Sequence, residues 1–186
     1  MLAAMPVQQA REGYELWRPN REKAEAKTMK AVVAFVLLVS AGLLIVITIG
    51  GWEHLLGPSV GAMSLLWAGL YILFAFLVAR WNRGILPMAA ALSIILLVFS
   101  AIAAQGWFDR DSRGFDNPGI PPGLLGLLTL ILIPVLFLLI VFAMRGFAQK
   151  WNVEVEMSRE EYDRRGREGT RDQGGAPPYQ PQAQGR

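Results

Sequence analysis

Between Leu55 and Phe108 the chain carries formal charge at only two positions, Arg80 and Arg83. Both sit in the short basic turn Arg80-Trp81-Asn82-Arg83-Gly84, with uncharged residues 55–79 before it and 84–108 after it. Each stretch exceeds the roughly 20 apolar residues needed to cross a hydrocarbon core. The turn is too short to take the chain anywhere but back across the same bilayer. This predicts a transmembrane hairpin whose positive turn faces the cytoplasm.

Two further charge-free blocks, residues 31–52 and 117–144, complete the pattern. The predicted spans are 31–52, 55–79, 84–108 and 120–144. In lipid every backbone N–H and C=O must be satisfied within the protein, which leaves helices or a closed barrel. Barrel strands are about ten residues long and alternate lipid-facing with lumen-facing side chains. The blocks are longer than that and lack the alternation. The expected fold is therefore an all-α integral membrane protein. It is a four-transmembrane-helix bundle built from two antiparallel hairpins, with both termini inside (N-in/C-in).

Around the predicted domain 31–144, the chain divides into a cytoplasmic N-terminal segment 1–30, a cytoplasmic strand and helix segment 145–165, and a tail 166–186. Arg18-Pro19-Asn20 reads as a break with Asn20 as helix N-cap. The run from Arg21 is strong helix-forming sequence, expected to continue into the first span as one juxtamembrane helix. The lead is too long and too charged for a signal peptide. After the last span, residues 151–157 alternate apolar and polar at strand period. Ser158 and Glu161 then form a capping-box pattern for a short helix. The Gly-, Pro- and Gln-rich residues 166–186 have the composition of a disordered tail.

Basic residues near span ends set orientation. Arg18, Arg21, Lys23, Lys27 and Lys30 precede the first span, and Arg145, Lys150, Arg159 and Arg164 follow the last. The opposite face has only Arg110 and Arg113, beside Glu53, Asp109, Asp111 and Asp116. Trp52 and Trp107 are expected in the outer interfacial belt and Trp81 and Trp151 in the inner one, with Trp67 the mid-span exception.

No Asp, Glu, Lys, Arg or His lies within the predicted spans. Ionisable groups inside a membrane are costly and mark proton relays, voltage sensors and coupled transport. Those classes, and an intramembrane enzyme, are disfavoured. The single histidine, His54, precludes a haem held by two histidines of one chain, and the absence of cysteine removes thiol chemistry. The run Asp109-Arg110-Asp111-Ser112-Arg113-Gly114 opens like a calcium loop but has Arg113 at its fifth position and Ile120 at its twelfth, so it reads as a solvated loop. No cofactor, metal or nucleic-acid partner is expected.

Small residues four apart, which let helix backbones approach closely, occur at Gly57 and Gly61, Ser64 and Ala68, Ala89 and Ser93, and Ser100 and Ala104. They place the expected packed centre in spans two and three, with the bulky span four turned more to lipid. Trp151, Val153, Val155 and Met157 would share one face of the tail strand. A single strand is unstable alone, so these residues are candidates for docking on a partner. Basic residues nearby favour anionic lipid. Together these features suggest a non-catalytic accessory or scaffold subunit of a larger complex, in a bacterial plasma membrane. A small oligomeric transporter or pore is the alternative.

Overall fold

The structure, a computed structural model, describes residues 14–17, 19–55, 57–111, 120–151, 153–158, 160–161 and 163–164. The elements are strand β1 (Tyr14–Trp17), helices α1 (Pro19–Glu22), α2 (Ala24–Gly50), α3 (Pro58–Ala79), α4 (Ile85–Asp111) and α5 (Pro122–Ala148), and strand β2 (Val155–Ser158), with a 3-10 turn at Trp52–His54. Helices α2 to α5 are long and apolar enough to cross a membrane, as expected of a polytopic membrane protein. The predicted disordered tail 166–186 and the loop residues 112–119 lie outside the described residues.

The chain forms two compact units. In one, β1 and β2 pair antiparallel with Tyr14 opposite Ser158 and Trp17 opposite Val155. The expected strand 151–157 is thus shorter and begins later, and its neighbour is a segment of the same chain that the sequence reading left unassigned. Residues 160–161 and 163–164 are helical.

The other unit holds the membrane helices. Prolines open two of them: Pro58 starts α3 after Gly57, whose φ of +143° is open only to glycine at low cost, and Pro122 starts α5. The juxtamembrane helix runs unbroken from Ala24 into the first span, but it begins later than expected. Lys23 is extended (φ −59°, ψ 132°) and separates the four-residue α1 from α2. Asn20 is within α1, and instead of capping it donates from Nδ2 to the Lys150 carbonyl at 3.1 Å.

Packing order also departs from expectation. Helix α5 lies against both α2 and α4, and α3 lies against α2, whereas α3 and α4 touch little despite the five-residue turn joining them. The centre is therefore α2 with α5, and not the hairpin around Arg80. Leu125, Leu132, Leu136 and Leu139 of α5 are enclosed, interleaved with the small Gly126, Thr129, Ala143 and Gly146. A helix bulky on one stripe and small beside it meshes with two neighbours at once. Lipid-facing positions on every helix remain apolar, as at Phe35, Phe76, Ile102 and Phe137.

The ends of α3 and α5 hold this unit together at one end. The Trp81 N–H bonds to the Val78 carbonyl and that of Asn82 to the Leu77 carbonyl, at 2.9 and 3.1 Å, the paired bonds of a Schellman cap. The left-handed position in such a cap usually belongs to glycine, but here it is Trp81 at φ 64°. Lys150 occupies the corresponding place after α5 at φ 50°. That left-handed residue directs Trp151 back into the bundle, fully enclosed and edge-on to Trp81 at 5.4 Å between ring centroids. Lys30 Nζ stands 4.3 Å and Arg21 Cζ 5.7 Å from the Trp81 ring centroid. The same cations complete helix ends: Lys30 donates to the Ala79 carbonyl at 3.4 Å, Arg21 Nε to the Trp151 carbonyl at 3.3 Å, and Arg83 Nε to the Phe147 carbonyl at 2.8 Å. Positive side chains at helix C-termini satisfy exposed carbonyls and oppose the helix dipole.

At the other end aromatic rings cover glycines. Trp107 lies on Gly51 and Trp52 on Gly61, so closely that a Cβ at either glycine would collide with the ring. Trp107 and Trp151 are thus packing residues and not interfacial belts, while Trp52 stays half exposed.

Two substitutions separate the packing of Trp151 from the backbone that delivers it. Trp151→Ala is expected to cost about 3–5 kcal/mol in detergent unfolding. Lys150→Gly, which relieves a left-handed residue at an exposed position, is expected to stabilise by up to about 1 kcal/mol.

Candidate functional site

Because α3 and α4 diverge, a cleft of about 790 Å³ opens between them, away from the Arg80 turn. Its floor is formed by Leu44 and Ile47 of α2 with Leu132 of α5, and its flanks by Met63 and Trp67 of α3 and Leu96 and Phe99 of α4. Met63, Phe99 and Ile102 at the rim are all more than half exposed, so the cleft opens sideways. Among the described residues no ionisable side chain lines it.

Among the described residues, the polar side chains on its walls are the Trp67 and Trp107 indoles and the hydroxyls of Thr48, Ser59, Ser64, Ser100 and Thr129. Within the bundle several hydroxyls turn back on their own helix. Ser40, Ser64, Ser93 and Thr129 each donate to the carbonyl four residues earlier, at 2.8, 3.0, 2.7 and 2.8 Å. Thr48 and Ser100 make no such bond. They are 2% and 5% exposed, both line the cleft, and neither oxygen is sealed from it. Two enclosed hydroxyls therefore keep their hydrogen-bonding capacity facing an apolar space.

Beside the cleft α3 is linked to α4 by one hydrogen bond. Tyr71 Oη and Ser93 Oγ are 2.9 Å apart, and both residues are fully enclosed. Ser93 spends its proton on the Ala89 carbonyl, so Tyr71 donates and Ser93 accepts. The two residues are equally far in sequence from Asn82, eleven positions on either side. Sequence reasoning passed over Tyr71, although a phenol in mid-span needs a partner and Ser93 stands at the matching distance from the turn. Trp67 Nε1 is enclosed nearby, with the Tyr71 hydroxyl as its electrostatic neighbour and no hydrogen bond of normal geometry.

The residues singled out from sequence are distributed as follows. Ala68, Ala89, Ser93, Ser100 and Ala104 are buried, and Gly61 is buried beneath Trp52. Ser64 is half-buried on the cleft wall and Gly57 supplies the turn before α3. These small residues do not draw α3 and α4 together over their length. Trp151 docks on Trp81 of its own chain, Val153 and Val155 are exposed, and Met157 stands opposite Glu15 in the sheet. Asp109 and Asp111, taken as loop positions, lie in the last turn of α4. Among the described residues no cluster of His, Asp and Glu is grouped to hold a metal ion.

The chain matches no protein-family model, no curated protein and no solved structure.

Unfolding in detergent tests the link beside the cleft. Tyr71→Phe removes one hydrogen bond and leaves Ser93 bonded to its own helix, an expected cost of about 1 kcal/mol. Ser93→Ala strands an enclosed phenol and is expected to cost more, about 1–3 kcal/mol.

Proposed function

We propose that this protein is a non-catalytic accessory or scaffold subunit of a larger complex in a bacterial plasma membrane. Its four spans form two antiparallel hairpins, and both termini are cytoplasmic. The observation that carries this reading is the two-stranded sheet made from the two ends of the chain, with only four residues in each strand. An isolated sheet of that size is marginal in water, and among the described residues each strand pairs on one side only. A third strand from a partner would pair with a free edge and secure it. The exposed Val153 and Val155 lie in and just before β2, where such a partner would lie.

The orientation follows from the basic residues. Lys30, Arg80 and Arg83 all stand at the Trp81 end of the bundle, the end that the positive-inside rule assigns to the cytoplasm. They also suit anionic lipid headgroups there.

A photo-crosslinker at Val153, in cells expressing the full chain, is expected to trap one membrane-associated partner at fixed stoichiometry. Recovery of uncrosslinked bait alone, from native membranes in gentle detergent, overturns the reading.

The laterally open cleft favours a second reading, a small oligomeric transporter that works through hydroxyls in place of charges. Solute or ion flux in vesicles reconstituted with the protein alone would support it, and a monomeric particle without flux would remove it.

A further inference from the structure

We propose that the cleft between α3 and α4 is a binding site for a membrane lipid, and that it takes the ester-linked acyl region of that lipid and not its headgroup. The occupant is defined by what the walls offer. A space of about 790 Å³ is in the range of small-molecule sites, and it opens sideways past exposed Met63, Phe99 and Ile102. Water is a poor filler for it, since a buried water needs two to four polar partners and these walls are almost wholly apolar. Acyl chains fill such a space and bring no polar group of their own that needs a partner.

The two available hydroxyls set the chemistry further. Thr48 and Ser100 are enclosed, lack the back-bond that Ser40, Ser64, Ser93 and Thr129 make, and face the cleft. In hydrocarbon an unpaired hydroxyl is costly, so a filled cleft should present an acceptor to them. With no ionisable side chain on the walls among the described residues, a phosphate or ammonium group would enter uncompensated. An ester carbonyl is a neutral acceptor with no donor of its own to satisfy. Depth agrees at Thr48, which lies two residues before the end of α2, about 3 Å of helix rise from it, while Ser100 lies deeper, eleven residues before the end of α4. Half-exposed Trp52 stands just beyond α2, at the level where aromatic rings meet headgroups. Leu44, Leu96 and Leu132 line the deeper part, where chains would lie.

Native mass spectrometry of the full chain tests this, using equimolar dioleoyl phosphatidylcholine and its dialkyl ether analogue of the same headgroup and chain length. The wild type is expected to retain the diester about three- to ten-fold over the ether, the size of effect given by one or two hydrogen bonds. Thr48→Val with Ser100→Ala should bring the two lipids to parity. Ser64→Ala, on the α3 wall of the cleft and bonded to its own helix, should leave the preference intact. Dioleoyl phosphatidylglycerol should be retained as well as the choline diester. The proposal is overturned by equal retention of ester and ether in the wild type. It is also overturned by a preference that survives the double variant, by retention governed by headgroup charge, or by a lipid-free dimer in which a second copy fills the cleft. The ester and ether comparison on the wild type decides the matter even where the double variant does not fold.

Discussion

The membrane unit depends on how α3 and α5 terminate. A membrane helix arrives at the interface with its last carbonyls unpaired and its dipole negative. Here both helices end through a left-handed residue that is not glycine, Trp81 and Lys150, each costing about 1–2 kcal/mol of backbone strain. That strain is offset by what it makes possible: Trp151 is enclosed against Trp81. A buried tryptophan removes some 150–250 Å² from water, about 4–6 kcal/mol by area. Around that pair Lys30, Arg21 and Arg83 reach the carbonyls of Ala79, Trp151 and Phe147. Basic residues that a sequence reader takes as topology signals also bond carbonyls at or just beyond the ends of other helices.

With one end tied in this way, the other has freedom in how its helices spread. Helix α5 meshes with α2 and α4, and Trp107 on Gly51 fills the space between neighbouring helix ends. Helix α3 follows α2, so it departs from α4 after the Tyr71–Ser93 hydrogen bond. The cleft is the space this divergence leaves. It is placed by packing elsewhere in the bundle, and no local motif announces it.

This explains which features were legible in the sequence. The four spans were readable because exclusion of charge from lipid acts on each segment by itself, and Pro58 and Pro122 mark two of their starts. Packing order was not readable, because core-facing and lipid-facing side chains are equally apolar and leave no amphipathic stripe. Phe137 and Leu136 are neighbours of the same kind in sequence, yet one is exposed and the other enclosed. The small-residue pairs include buried positions such as Ala68, Ala89 and Ala104 but could not say which helix lies opposite. Strand β1 escaped notice because four residues carry too little periodicity, and its partner is about 140 positions away. The default for a hydroxyl in a membrane helix is a bond to its own backbone. Thr48 and Ser100 depart from it, and only coordinates separate them from Ser64 and Thr129.

The central claim is that α2 and α5 form the centre of the bundle while α3 and α4 stand apart beyond Tyr71. The chain has no cysteine, so engineered pairs report without background. Met29 and Gly146 bring α2 to α5, where a Cβ at Gly146 would lie 3.3 Å from Met29 Cγ. Ser64 and Ser100 lie on opposite walls of the cleft. On mild oxidation in native membranes, Met29→Cys with Gly146→Cys is expected to form an intramolecular disulfide readily and Ser64→Cys with Ser100→Cys not at all. Closure of the second pair in place of the first would mean that the α3–α4 hairpin is the centre, and would contradict the structure described.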